Sequence, residues 1–168
     1  MKNILYQDKK AKSKSFFLKK NHNLFDKKLL NFLVKNYSKF KKDIRICMHE
    51  NPQANHHDMI ILQQKKNTYP PHKHLKKGET YHMISGKMRC LLFNNSGDIK
   101  KKCTLNKGDI FRVPINTFHT MIPLTKFCIY HESKIGPFLK KADSIFPKWI
   151  KKYSKNALFK KNNKKNID

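Results

Sequence analysis

Two hydrophobic periods divide the chain. Between Leu24 and Phe40 the apolar residues Phe25, Leu29, Phe32, Leu33, Tyr37 and Phe40 recur at three- and four-residue steps, the period of a helix. Asp26 stands where an N-cap belongs, with Phe25 and Leu30 spaced as a hydrophobic staple. From Ile44 onward apolar and polar positions alternate in short runs: IRICMH, HDMIILQQ, TYHMISG, MRCLLFN, CTLNKGDIFRVP, FHTMIPL and KFCIYHES. Turn signals separate them, among them Asn94-Asn95-Ser96-Gly97-Asp98 and Asn106-Lys107-Gly108-Asp109. Seven or eight strands about ten residues apart predict an all-β sandwich or barrel. Residues 1–22 read as a basic tail, mobile or loosely docked, with one apolar patch at Phe16-Phe17-Leu18. The expected organisation is therefore tail 1–22, helical segment 23–43, barrel 44–139 and a basic C-terminal extension 140–168. Within that extension Phe146 and Trp149 predict an anchored crossing segment, and the last dozen residues a solvated tail.

Composition changes this picture in two places. A length of 168 residues with 38% hydrophobic content and twelve phenylalanines suits one core. The formal charge of +27 invites a polyanion partner. Yet only three of the 38 basic residues are arginine, the side chain that clamps phosphates and reads bases with its planar fork. The excess also sits outside the strands: residues 44–139 hold fifteen basic and six acidic side chains. We read the lysines as a solvated surface and do not expect nucleic-acid or membrane contact through the tails. No apolar run reaches the length of a membrane span, and the N-terminus shows no signal-peptide pattern, so a cytoplasmic location is expected. Cys47, Cys90, Cys103 and Cys128 form no C-x-x-C pair and are read as reduced thiols.

The chemistry concentrates in YPPHKHLKKGETYHMISGK, Tyr69 to Lys87. On a strand His72 and His74 share a face about 6–7 Å apart, close enough to lean onto one ion. Gly78 then permits a turn, and the returning chain brings Glu79 beside the pair. Two imidazoles and a carboxylate on one face suit a divalent transition metal. His119, in GDIFRVPINTFHT, supplies a further imidazole from elsewhere in the chain.

Written out, the first motif is Pro71-His-x-His-x4-Glu-x6-Gly86 and the second Gly108-x5-Pro114-x-Asn-x2-His119. The pair resembles the two signature motifs of the cupin superfamily. Asn116 stands where the usual pattern has glycine, and Asn tolerates a left-handed turn. RICMH, CLLFNNSGDI, YHESKIGPF and PKW further resemble the WbuC-type branch, so that the likeness runs from about Leu29 to Trp149. It implies a double-stranded β-helix, a small jelly roll, in which His72, His74, Glu79 and His119 bind one divalent metal (Fe, Mn, Ni, Zn or Co) in the barrel mouth. It also implies a place in bacterial surface-polysaccharide synthesis, O-antigen in particular, and pairing of two copies through their sheets.

Other side chains are placed by parity. His82 falls out of phase with Glu79 and should face away, whereas Tyr81 shares the Glu79 face and is a candidate proton donor or core residue. Arg45 and Arg112 are candidates for binding an anionic group of a ligand, or alternatively for internal salt bridges, Arg45 with Glu132 or Asp109. Tyr130, His131 and Glu132 lie on a late strand whose inward parity is open, and His56 and His57 are expected in a solvated loop. Two functions follow. One is a metal-dependent enzyme acting on a sugar or nucleotide sugar, an isomerase or epimerase. The other is a non-catalytic barrel that binds a sugar and regulates a partner.

Overall fold

The computed structural model describes residues 1, 3–11, 13–139 and 142–152. The expected helix is α1 (Lys27–Asn36). Asp26 caps it, its Oδ1 accepting from the amides of Lys28 and Leu29 at 3.0 Å each. Beyond its end the buried Gln64 side-chain amide donates to the carbonyls of Tyr37, Phe40 and Lys42.

The alternating runs all become strands: β3 (Ile44–Cys47), β4 (His56–Gln64), β5 (Glu79–Ser85), β6 (Met88–Phe93), β7 (Ile99–Leu105), β8 (Ile110–Val113), β9 (Phe118–Pro123) and β10 (Phe127–Ile135). The run CTLNKGDIFRVP divides between β7 and β8 at the Asn106–Asp109 turn. Two further strands lie in the segment read as a tail, β1 (Leu5–Asp8) and β2 (Lys14–Leu18). The physical reason is burial: Phe16, Phe17 and Leu18 need a partner surface, and β2 finds one by pairing parallel with β3. Residues 1–22 are thus integral to the sheet over these strands.

A seven-stranded sheet in the order β1-β2-β3-β4-β10-β5-β8 faces a three-stranded sheet, β7-β6-β9. Between them lies one core, in which Cys47, Met59, Met83, Met88, Met121 and Tyr130 are buried. On the outer face of the large sheet Leu29 and Leu33 of α1 pack against Ile44, Ile46, Ile60, Leu62 and Ile129. Strand β4 is consequently apolar on both faces, and its sequence alternation fades to Met59-Ile60-Ile61-Leu62. Trp149, on a 3-10 turn at Lys148–Lys152, closes the outer face of the small sheet against Phe93 and Phe118, with ring centroids 5.2 and 5.6 Å away. Its indole donates to the carbonyl of Asn95 at 2.9 Å. Phe146 stays exposed at the barrel mouth. The expected terminal tail lies outside the described residues. Among those described, no helix is long and apolar enough to cross a membrane.

This is the double-stranded β-helix expected from the motifs. Asn116 takes φ 55°, the left-handed turn that the family pattern fills with glycine.

Candidate metal centre

The four proposed ligands come from three places that the sheets bring together. His72 forms an isolated antiparallel bridge with His119 at the start of β9, each amide donating to the other's carbonyl. His74 follows two residues on, and Glu79 opens β5. The ring centroids of His72 and His119 are 4.6 Å apart, those of His72 and His74 5.2 Å. One donor atom from each of the four residues lies within 4.8 Å of all the others.

What each imidazole does with its second nitrogen decides how it faces the centre. Nδ1 of His72 bonds to the carbonyl of Pro70 at 3.1 Å, Nδ1 of His119 to that of Thr117 at 2.9 Å, and Nδ1 of His74 to that of Asp143. A carbonyl only accepts, so Nδ1 carries the proton in each ring and Nε2 carries the lone pair. Nε2 of His74 and of His119 is buried with no hydrogen-bond partner, while standing 3.0 and 2.9 Å from the two Glu79 oxygens. Buried polar atoms left in this state are costly, and a cation between them removes the cost. The donor set and its orientation therefore fit a divalent metal, held through three Nε2 atoms and the Glu79 carboxylate.

The electrostatics agree. Burial alone pushes the Glu79 carboxyl up, but Lys134 and the two facing imidazoles outweigh it and hold it well below the usual carboxylate range. Burial pulls the His74 imidazole down, and Glu79 more than reverses this and raises it, because the carboxylate favours positive charge beside Nε2. Desolvation and the facing His119 push half-buried His72 down to about 4, so it stays a neutral donor.

The supporting network was only partly foreseen. Tyr81 is buried on the Glu79 face, and its hydroxyl donates to Glu79 Oε2 at 2.8 Å. Burial and then Glu79 raise its pKa well above the ordinary tyrosine value, so it remains a phenol. Strand β10 turns Tyr130, Glu132 and Lys134 inward, which settles the parity left open above. Lys134 bridges Glu79 at 2.9 Å and Glu132 at 3.1 Å. Asp143 accepts from Lys77 and, at 3.2 Å, from the amide of Leu139. Lys134 had a readable signal in its two-residue spacing from Glu132; Asp143 had none, because a loop delivers it.

Other candidates fall as follows. His82 is exposed, as its parity implied. Arg45 lines the cavity beside the metal ligands, and its partners are Ser13 Oγ at 2.6 Å and Met59 Sδ at 3.6 Å, with neither Glu132 nor Asp109 in an ion pair with it. Arg112 lies outside the cavity: it alternates with Phe111 and Val113, which take the inward side of β8, so its side chain faces solvent. His57 corrects the expected solvated loop. It is 4% exposed on β4, because its ring stacks on His49 at 4.2 Å under Gly136.

The cavity around the centre has a volume of about 260 Å³. Paired motifs, a two-sheet jelly roll and this cluster define the class: a cupin-fold protein with a candidate metal centre. Solved structures agree on the fold. Capsular polysaccharide assembling protein CapF from Staphylococcus aureus is similar, with a TM-score of 0.53 and 17% identity over 61% of this chain and 29% of that one. A CapF structure with the inhibitor 3-isopropenyl-tropolone gives 0.52 and 17%, over 61% and 31%. This chain thus spans about a third of the CapF chain. KdgF from Halomonas sp. aligns at 18% identity over 56% of this chain and 80% of that one, with a TM-score of 0.47. A family model described as a domain of unknown function, DUF6016, matches residues 25–105. No curated protein sequence matches this chain.

Proposed function

We propose that this protein is a mononuclear metal cupin acting on a sugar or nucleotide sugar in bacterial surface-polysaccharide assembly, in the cytoplasm, as an isomerase or epimerase. The observation that carries it is the orientation of the three imidazoles, each pinned through Nδ1, with Nε2 of His74 and of His119 meeting Glu79 and His72 in the same cluster. The name of CapF, a polysaccharide-assembling protein, and the WbuC-like sequence features support the setting. A bound divalent ion would supply Lewis acidity, polarising a carbonyl or hydroxyl oxygen. The chain's own residues do the rest. Lys134 neutralises Glu79 and Glu132, and Tyr81 holds Glu79 in place. Tyr81 stays a phenol, and its role here is the hydrogen bond it donates to Glu79.

A second reading has its own support. Tyr81, Glu132, Lys134 and Asp143 are all committed to internal partners, as suits a pocket that binds without turnover. Incubating metal-loaded protein with a panel of sugars and nucleotide sugars, followed by NMR, separates the two. New sugar resonances are expected for the enzyme; line broadening with no new species in any sample would overturn it in favour of the binding module.

A further inference from the structure

The cavity has a second pole. Its lining carboxylates are already served: Glu79 and Glu132 by Lys134, Asp143 by Lys77, and Asp43 by the amide of Gln64, the Asn67 side chain and the Tyr69 hydroxyl. Arg45 is different. It is half-buried on the cavity wall, and no described carboxylate lies within ion-pair distance of it. One hydroxyl and one thioether sulfur occupy only part of a fork of five donors. A partly desolvated guanidinium facing an open cavity is a site for an anion that accepts two parallel hydrogen bonds.

Arg45 lines one cavity with His72, His74 and Glu79; it stands on β3, three strands from the strand of Glu79 in the order β3-β4-β10-β5. The volume limits what can lie between them: about 260 Å³ is below the roughly 300–1,000 Å³ of pockets that enclose drug-sized ligands.

We infer that Arg45 binds the carboxylate or phosphate of a small acidic ligand, of monosaccharide size, whose oxygens at the other end reach the His72, His74, Glu79 and His119 centre. Ser13 is the positioning residue. It reaches Arg45 from the segment leading into β2, and its own hydroxyl lies 3.0 Å from Ser15 Oγ. The segment leading into β2 therefore lines the pocket, while β1 and β2 complete the core. A nucleotide sugar would have to leave its nucleotide outside the cavity.

This inference rests on reading the cavity as a ligand site, and the test keeps it apart from the metal assignment. Calorimetric titration of the full chain with D-glucose 6-phosphate, D-glucuronate and D-glucose is compared for wild type, Arg45→Ala, Arg45→Lys and Ser13→Ala. Bound metal and thermal unfolding are measured on each. Wild type is expected to bind at least one of the two acids tenfold or more tightly than glucose. Arg45→Ala should lose that preference with its metal content unchanged, Arg45→Lys should keep part of it, and Ser13→Ala should weaken acid binding several-fold. Which acid is preferred separates carboxylate from phosphate. Equal acid binding by wild type and Arg45→Ala, or no preference for either acid in wild type, would overturn the inference. Should Arg45→Ala fail to fold, undiminished acid binding in both Arg45→Lys and Ser13→Ala would do so. Acid binding lost in Arg45→Ala from protein that holds no metal would uphold Arg45 and sink the metal assignment alone.

Discussion

Three backbone carbonyls, those of Pro70, Thr117 and Asp143, set the direction of the three imidazoles. The first two belong to residues two positions before their histidines, so local chain geometry supplies them. The third comes from 69 residues away and depends on the Asp143 side chain holding Lys77 and the Leu139 amide. Asp143→Ala should therefore weaken metal binding about tenfold, in the range typical of partners that orient a ligand. Competition with a chelator measures this, and unchanged affinity would show that Asp143 has no positioning role. The clustering of His72, His74 and Glu79 is legible, because a two-residue spacing and a turn constrain where side chains can meet, while His119 enters through the second motif. Arg112 faces outward on β8, a direction that composition alone, scarce arginine, does not disclose.

Strand parity explains most of what the alternating runs revealed, and packing on the second face explains what they hid. The β1–β2 pair was masked by lysines, though its buried Phe16-Phe17-Leu18 patch was visible. The His49 and His57 rings meet only because β3 and β4 are neighbours, a register no single run discloses. Burial first, then the neighbouring His57, push His49 down to about 4 from an ordinary 6.5. A buried imidazole that resists protonation binds fewer protons than it does in the unfolded chain. Stability from His49 is thus complete above pH 6.5 and is lost as pH falls toward 4. Between pH 7 and pH 5 the loss from this group is on the order of 2 kcal/mol. Urea unfolding of metal-free wild type should show that excess acid sensitivity over His49→Gln, and parallel pH dependence of the two would refute it.

For the molecule as a whole, the large and small sheets close a shell whose cavity is lined by His72, His74 and Glu79 of the candidate metal cluster and by Arg45. Among the described residues Lys77 and Lys134 ion-pair beside the centre, and both serve carboxylates. That two-sheet closure is readable from seven alternating runs and two motifs in register, whereas the acid–base pairing inside depends on contacts between distant segments. The decisive measurement is the metal content of the purified full chain against His72→Ala/His74→Ala, by elemental analysis, with circular dichroism confirming that both are folded. One divalent transition-metal ion per chain in the wild type and none in the variant is the expected result. Equal metal in the two would contradict the centre described here.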